Sequence, residues 1–220
     1  MSTVPAQSSV VVPCLLLEDV DWRTYTRLLH IFAERPAFRL TYDRGRLEIM
    51  SPLPEHEMDA DFLGCLVRAL TDELGLPILG GGSTTFRRRR YQRGLEPDRC
   101  YWIAHEPAVR GKRKLDLRVD PAPDLAIEVD VTSRSINRMK IYAVLGVPEV
   151  WRVENETLKF YSLGTNRKYS EISHSLSFPL VTPADLMGFL ALRATQDENS
   201  IVRQFRAWVQ QRRGSTGTTP

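Results

Sequence analysis

Glu128 stands inside the apolar run LAIEVDV, with Asp124 and Asp130 on either side of it. Desolvating an ionised carboxylate is costly unless a cation or hydrogen-bond donors compensate. A buried strand carrying three acids therefore asks for a partner. At a rise of about 3.3 Å per residue, Asp124 and Glu128 are about 13 Å apart along one face and cannot share a small ion. Asp130 is closer, two residues on and on the same face as Glu128. The partner for Glu128 must come from another element, and Asp98 is the best candidate. It follows Pro97, opens the run DRCYWIA, and precedes Glu128 by 30 residues. If the two runs pair as antiparallel strands, the start of one lies beside the end of the other, and Asp98 meets Glu128. Glu55 and Glu57, in the first turn of a long helix, offer a third carboxylate. Such a cluster of hard oxygen ligands suits Mg²⁺, which takes a few carboxylates, several waters and a phosphate oxygen.

Each acid also has a structural explanation. Asp98 after Pro97 can cap a turn, and Glu57 can complement a helix dipole. Glu128 has no local capping duty, so its structural alternative is an ion pair with a buried arginine. His30, His56, His105 and His174 do not cluster at metal-ligand spacing. In the run RRRR (87–90), a strand would turn alternate side chains to opposite faces, leaving at most two on any one groove. Tyr142, Trp151, Phe160 and Tyr161 read as core.

The elements that must hold these residues follow from periodicity and turn chemistry. WRTYTRLLHIFAE places Tyr25, Leu28, Leu29 and Phe32 on one helical face. AFRLTYDRGRLEIMSP reads as a hairpin turning through Asp43 and Gly45. PEHEMDADFLGCLVRALTDELG is a long helix, with Pro54 early, acids in the first turn and Gly75 as its stop. Three strands are expected in LPILGGGSTTFRRRR, DRCYWIAH and PDLAIEVDV. A short helix in NRMKIYAVLG and a strand pair turning at Asn155 come next. One or two strands fall in RKYSEISHSLSFPLV, and a C-terminal amphipathic helix carries Ile201, Phe205, Trp208 and Val209. The fold class is α/β, a mixed β-sheet flanked by helices with an N-terminal helix-hairpin extension. Residues 10–211 form one domain, with a core at about 53–153. Residues 1–9 and 212–220 are expected to be disordered.

At 220 residues, with 42% hydrophobic and 26% charged, the composition is that of a soluble globular protein, and a net charge of +3 does not by itself point to nucleic acid. Three widely spaced cysteines, Cys14, Cys65 and Cys100, suggest reduced thiols and a cytoplasmic setting. The N-terminal apolar stretch lacks a basic flank and is too short to span a bilayer.

LTYDRGRLEIMSPLPEHE, RGLEPDRCYWI, APDLAIEVDVTS and IYAVLGVPEVWRV stand in that order between residues 40 and 153. Together they resemble the Uma2 family of restriction-endonuclease-like proteins, within the PD-(D/E)xK nuclease superfamily. The resemblance implies a restriction-endonuclease-like core in which carboxylates hold Mg²⁺ or Mn²⁺ and cut a phosphodiester. By position it implies Glu57, Asp98 and Glu128 as catalytic and metal-binding acids. Asp130 stands where the superfamily has a lysine. Arg138 stands where Uma2 proteins usually supply one, four residues before Tyr142. Arginine can stabilise charge on phosphate but does not deprotonate near neutral pH. Lys140 is the remaining lysine near the site, yet two residues along a helix turns it about 200° away. Arg138 is therefore expected to reach toward Asp98 and Glu128, and Lys140 toward solvent or the sheet edge.

Two functions follow. The first is a metal-dependent endonuclease acting on DNA, with homodimerisation through the apolar face of the C-terminal helix. The rival, favoured by Arg138, is a catalytically impaired nuclease-fold protein that binds nucleic acid or serves as an interaction module. No membrane partner is expected.

Overall fold

The structure, a computed structural model, describes residues 14–216 except residue 36 and residues 131–134. The disorder expected for residues 1–9 and 217–220 lies outside the described residues. The first strand, β1 (Cys14–Leu17), leads into α1 (Trp22–Phe32). Asp21 caps that helix by accepting from the Thr24 amide at 2.6 Å. The predicted hairpin is β2 (Arg39–Asp43) and β3 (Arg46–Met50). Arg44 and Gly45 join them at φ 49° and 92°, the positive values that a two-residue turn between twisted strands requires.

The hairpin is not an appended extension. With β5 (Phe86–Arg88) and β6 (Arg93–Leu95) it builds a five-stranded antiparallel sheet of order β1-β3-β2-β6-β5, counting β4 (Leu79–Gly80) before it in the chain. The stretch LPILGGGSTTFRRRR is thus two short strands rather than one. Its glycine-rich middle separates β4, which joins the other sheet, from β5.

The second sheet adds β7 (Arg99–Trp102), β8 (Leu125–Asp130), β9 (Glu149–Glu154), β10 (Thr157–Leu163) and β11 (Tyr169–Ile172), in the order β11-β10-β9-β8-β7-β4. It is mixed, because β8 and β9 run parallel while their outer neighbours run antiparallel. A parallel pair needs a crossover. Counted after the long helix α2 (Pro54–Leu74) and the single turn α3 (Glu106–Val109), that crossover is α4 (Arg138–Leu145). Asn137 caps its start and Gly146, at φ 85°, ends it.

Residues Leu125, Ile127 and Val129 of β8 face a core shared with α2, and Ala126 faces a second core with Ile141, Tyr142 and Leu145 of α4. The first core extends well beyond residue 153. It takes in Leu186 of α5 (Pro183–Ala191), a helix just past the run RKYSEISHSLSFPLV in a stretch where no element was expected. Thr182 and Asp185 start it with a reciprocal capping box.

The last helix, α6 (Glu198–Thr216), continues five residues into the segment expected to be disordered, from position 212 onward. Ile201, Phe205 and Val209 are fully buried in the first core, while Arg206 pairs with Asp72 and Glu73 of α2. The apolar face on which dimerisation was expected is spent within the chain. Among the described residues no helix is long and apolar enough to cross a membrane. Truncating Phe205 to Ala empties a buried aromatic site, so unfolding in urea should show a loss of about 3–5 kcal/mol.

Candidate functional site

Alternation along β8 turns Glu128 away from α2 and toward α4. The β7–β8 register sets Arg99 opposite Ile127 and Cys100 opposite Ala126. Continued by one residue, it sets Asp98 opposite Glu128, and the Val129 amide donates to Asp98 Oδ2 at 2.8 Å. The two acids that the antiparallel argument paired are brought together. Both are deeply buried, at 5% and 1% exposure.

Arg138, the first residue of α4, is also buried and reaches into this space. Its Nη2 donates to Glu128 Oε1 at 2.6 Å and to the Glu96 carbonyl at 2.5 Å, and its Nη1 donates to Thr41 Oγ1 at 2.7 Å. Tyr142, one turn further along α4, donates its hydroxyl to the same Glu128 oxygen. Burial alone would pull the Arg138 pKa down, but Glu128 above all, with Asp98 adding to it, holds the guanidinium charged well above its ordinary range. Burial and then the Glu128 charge push the Tyr142 phenol well up, which keeps it a donor. Lys140 is exposed, as the helical angle requires.

Glu57 belongs to α2, which packs on the opposite face of β8. Its carboxylate takes Arg39 Nη2 at 3.0 Å and Arg99 Nη1 at 3.4 Å. Glu55 is exposed. Asp124 is occupied elsewhere, accepting from the Ile103 and His105 amides at 2.7 and 3.0 Å and facing the His105 ring at 2.5 Å. The Asp130 side chain lies outside the described residues.

The family model for Uma2, described as "Putative restriction endonuclease", matches residues 22–195. The chain belongs to the Uma2 family. It is also similar to a solved structure from Anabaena variabilis, titled a "putative nuclease belonging to DUF820", at 16% identity and a TM-score of 0.43. That likeness covers 68% of this chain and 89% of that one. Among curated proteins none matches.

Uma2 membership supports a nuclease-like function, and restriction-endonuclease-like families generally use divalent metals. The residues of this chain do not fit a metal in the arrangement described. Among the described residues no group of three His, Cys, Asp or Glu is placed to hold one. The expected trio of Asp98, Glu128 and Glu57 does not close around a common point. Glu128 already faces a guanidinium that cannot deprotonate, and Glu57 faces two.

Two other buried strand glutamates show what sets Glu128 apart. Glu48 Oε2 accepts from the Ser135 and Ile136 amides at 2.8 and 3.3 Å. Glu149 accepts from Trp151 Nε1 at 2.7 Å and from the Ser177 amide and hydroxyl at 2.9 and 2.8 Å. Those donors are all neutral, whereas Glu128 has a buried cation. Thr41 and Glu96 complete that cation's setting and were not singled out from sequence, while Tyr142, read there as core, is core and also bonds Glu128. That bond was findable, because Tyr142 lies four residues after Arg138 on the same helical face.

The contrast gives a first expectation. Glu128→Gln leaves the Arg138 charge buried without its counterion, so it should cost about 3–5 kcal/mol of unfolding free energy. Glu149→Gln keeps an oxygen acceptor for neutral donors and should cost about 1–3 kcal/mol, as read by urea titration of both variants.

A second expectation concerns pH. Burial raises the Glu96 pKa above its ordinary 4.5, with hydrogen bonds from Thr85 and Leu40 opposing the shift. The folded state then binds this proton more tightly than the unfolded state. The contribution is fully present below pH 4.5 and is lost as pH rises through the folded value. Glu96→Gln should remove that decline, which urea midpoints measured from pH 4 upward would show as a flatter acid-to-neutral profile for the variant.

Proposed function

We propose that this Uma2 protein is a nuclease-fold protein that engages nucleic acid through a site whose catalysis is impaired by an internal cation. The observation that carries the reading is the buried Arg138–Glu128 pair, 2.6 Å across, with Tyr142 on the same oxygen. An ion pair in low dielectric is strengthened by exclusion of water. A divalent cation approaching Glu128 would meet a permanent positive charge at contact distance. A lysine in that place could lose its proton or swing aside. An arginine held by Thr41 and the Glu96 carbonyl has neither route.

A second reading has its own support. Asp98 and Glu128 face each other across the β7–β8 pair, and the family's description is that of a restriction endonuclease. On that reading the chain is a Mg²⁺- or Mn²⁺-dependent endonuclease of DNA, with Asp98 and Glu128 as metal-binding acids, Glu57 at the rim, and Arg138 as a fixed charge for phosphate. The exposed Lys140 is left without a role in either reading.

Nicking of supercoiled plasmid in Mg²⁺ and Mn²⁺ series separates the two readings. The impaired-site reading expects the wild type to nick at background, Arg138→Lys to gain metal-dependent nicking, and Asp98→Asn added to Arg138→Lys to remove it. Wild-type nicking that Asp98→Asn abolishes and Arg138→Lys does not improve would instead establish the endonuclease.

A further inference from the structure

The run RRRR does not alternate. Arg87 and Arg88 end β5, but Arg89, Arg90 and Tyr91 form a 3-10 turn, and Gln92 closes it at φ 50°. The turn breaks the two-residue period, so Arg87, Arg88 and Arg89 all line one groove of about 900 Å³. The opposite wall is the segment 112–118, which contributes Arg113 and Lys114. Trp22, half-buried at the start of α1 and in edge-to-face contact with Tyr25 and Tyr42, also lines the groove.

The charges of this groove divide by task. Arg88 Nη2 donates to the Leu117 carbonyl at 2.6 Å, which ties one wall to the other. Lys112 is taken by Asp120 at 2.5 Å. Asp116, the one acid among the lining residues, is neutralised by Arg118, whose Nε and Nη2 grip both its oxygens. Hydrogen bonds from Arg118 hold the Asp116 carboxyl down to about 2. Arg87, Arg89, Arg113 and Lys114 remain exposed, and none has a carboxylate within ion-pair distance among the described residues. Four uncompensated cations thus stand on two braced walls of a groove that Trp22 also lines. None of Asp98, Glu128, Glu57 or Arg138 lines this groove.

We propose that this groove binds a single-stranded stretch of nucleic acid, with phosphates on Arg87, Arg89, Arg113 and Lys114 and a base against Trp22. This deepens the proposed function and rests on its nucleic-acid component. Paired basic walls track a phosphate backbone, and an exposed ring face takes unpaired bases of any sequence. A duplex hides those base faces inside its stack. The groove's volume is that of a small-molecule pocket, which admits a few nucleotides and not the body of a duplex.

Fluorescence anisotropy of a short labelled oligonucleotide, as DNA and as RNA single strands and as a DNA duplex, tests the groove across a salt series. Single strands should bind more tightly than the duplex. Four phosphate contacts give a log–log salt slope of about −2.8, and Arg87→Glu with Arg89→Glu should remove about 1.4 of it. Arg113→Glu with Lys114→Glu should do the same. These side chains are exposed, so the melting temperature should not change and lost binding cannot be put down to unfolding. Quenching of tryptophan emission on binding should disappear in Trp22→Phe. Single-strand affinity that survives both charge reversals overturns the groove while leaving a nucleic-acid protein in place. Duplex binding as tight as single-strand binding overturns it too. A wild type that binds no nucleic acid removes both the groove and the nucleic-acid component of the proposed function. Plasmid nicking by Arg138→Lys reads the acidic site separately.

Discussion

The guanidinium of Arg138 is the point on which the two sheets depend. Its three acceptors are the Thr41 hydroxyl on β2, the Glu96 carbonyl just after β6, and the Glu128 carboxylate on β8. One planar group with forked donors therefore fixes the five-stranded sheet, the link between the sheets and the mixed sheet at once. The cation is stabilised where it would otherwise be most costly, and the carboxylate that stabilises it is the acid that looked most catalytic. The same charge pair is both a structural joint and an occupied chemical site. An ammonium in its place could not span three acceptors with the same geometry.

Much of this was legible in the residues. The antiparallel neighbourhood of Asp98 and Glu128 followed from strand direction alone. The inward and outward placement of Arg138 and Lys140 followed from helical angle. An acid inside LAIEVDV signalled a buried partner because no local capping duty explained it. Glu48 inside RLEIM was not singled out, although it sits in the same kind of setting, and it serves backbone amides. Whether a buried acid meets an N–H or a cation depends on which distant element packs over it, and periodicity carries no such information. The failure at RRRR was of another kind. A strand period was assumed through residues that leave the strand for a tight turn after Arg88.

Charge is segregated in this molecule in a way its net value of +3 conceals. Glu128 is buried against Arg138, and the part-exposed Glu57 is held by Arg39 and Arg99. The cations of the β5 edge are exposed, and Asp116, the one acid among the described residues lining their groove, is already committed to Arg118. The positive field that reaches furthest from the surface is therefore that of the exposed groove cations, because buried pairs contribute little field at a distance.

The C-terminal helix has a consequence for how the protein is made. Phe205 and Val209 complete the first core against α2, whose other side rests on β8, and both of those elements leave the ribosome well before α6. Until that last stretch emerges, the growing chain carries an open apolar trough lined by α2. Both sheets are then complete while the helix that covers α2 is still to come, and that uncovered face is what a neighbouring nascent chain would meet.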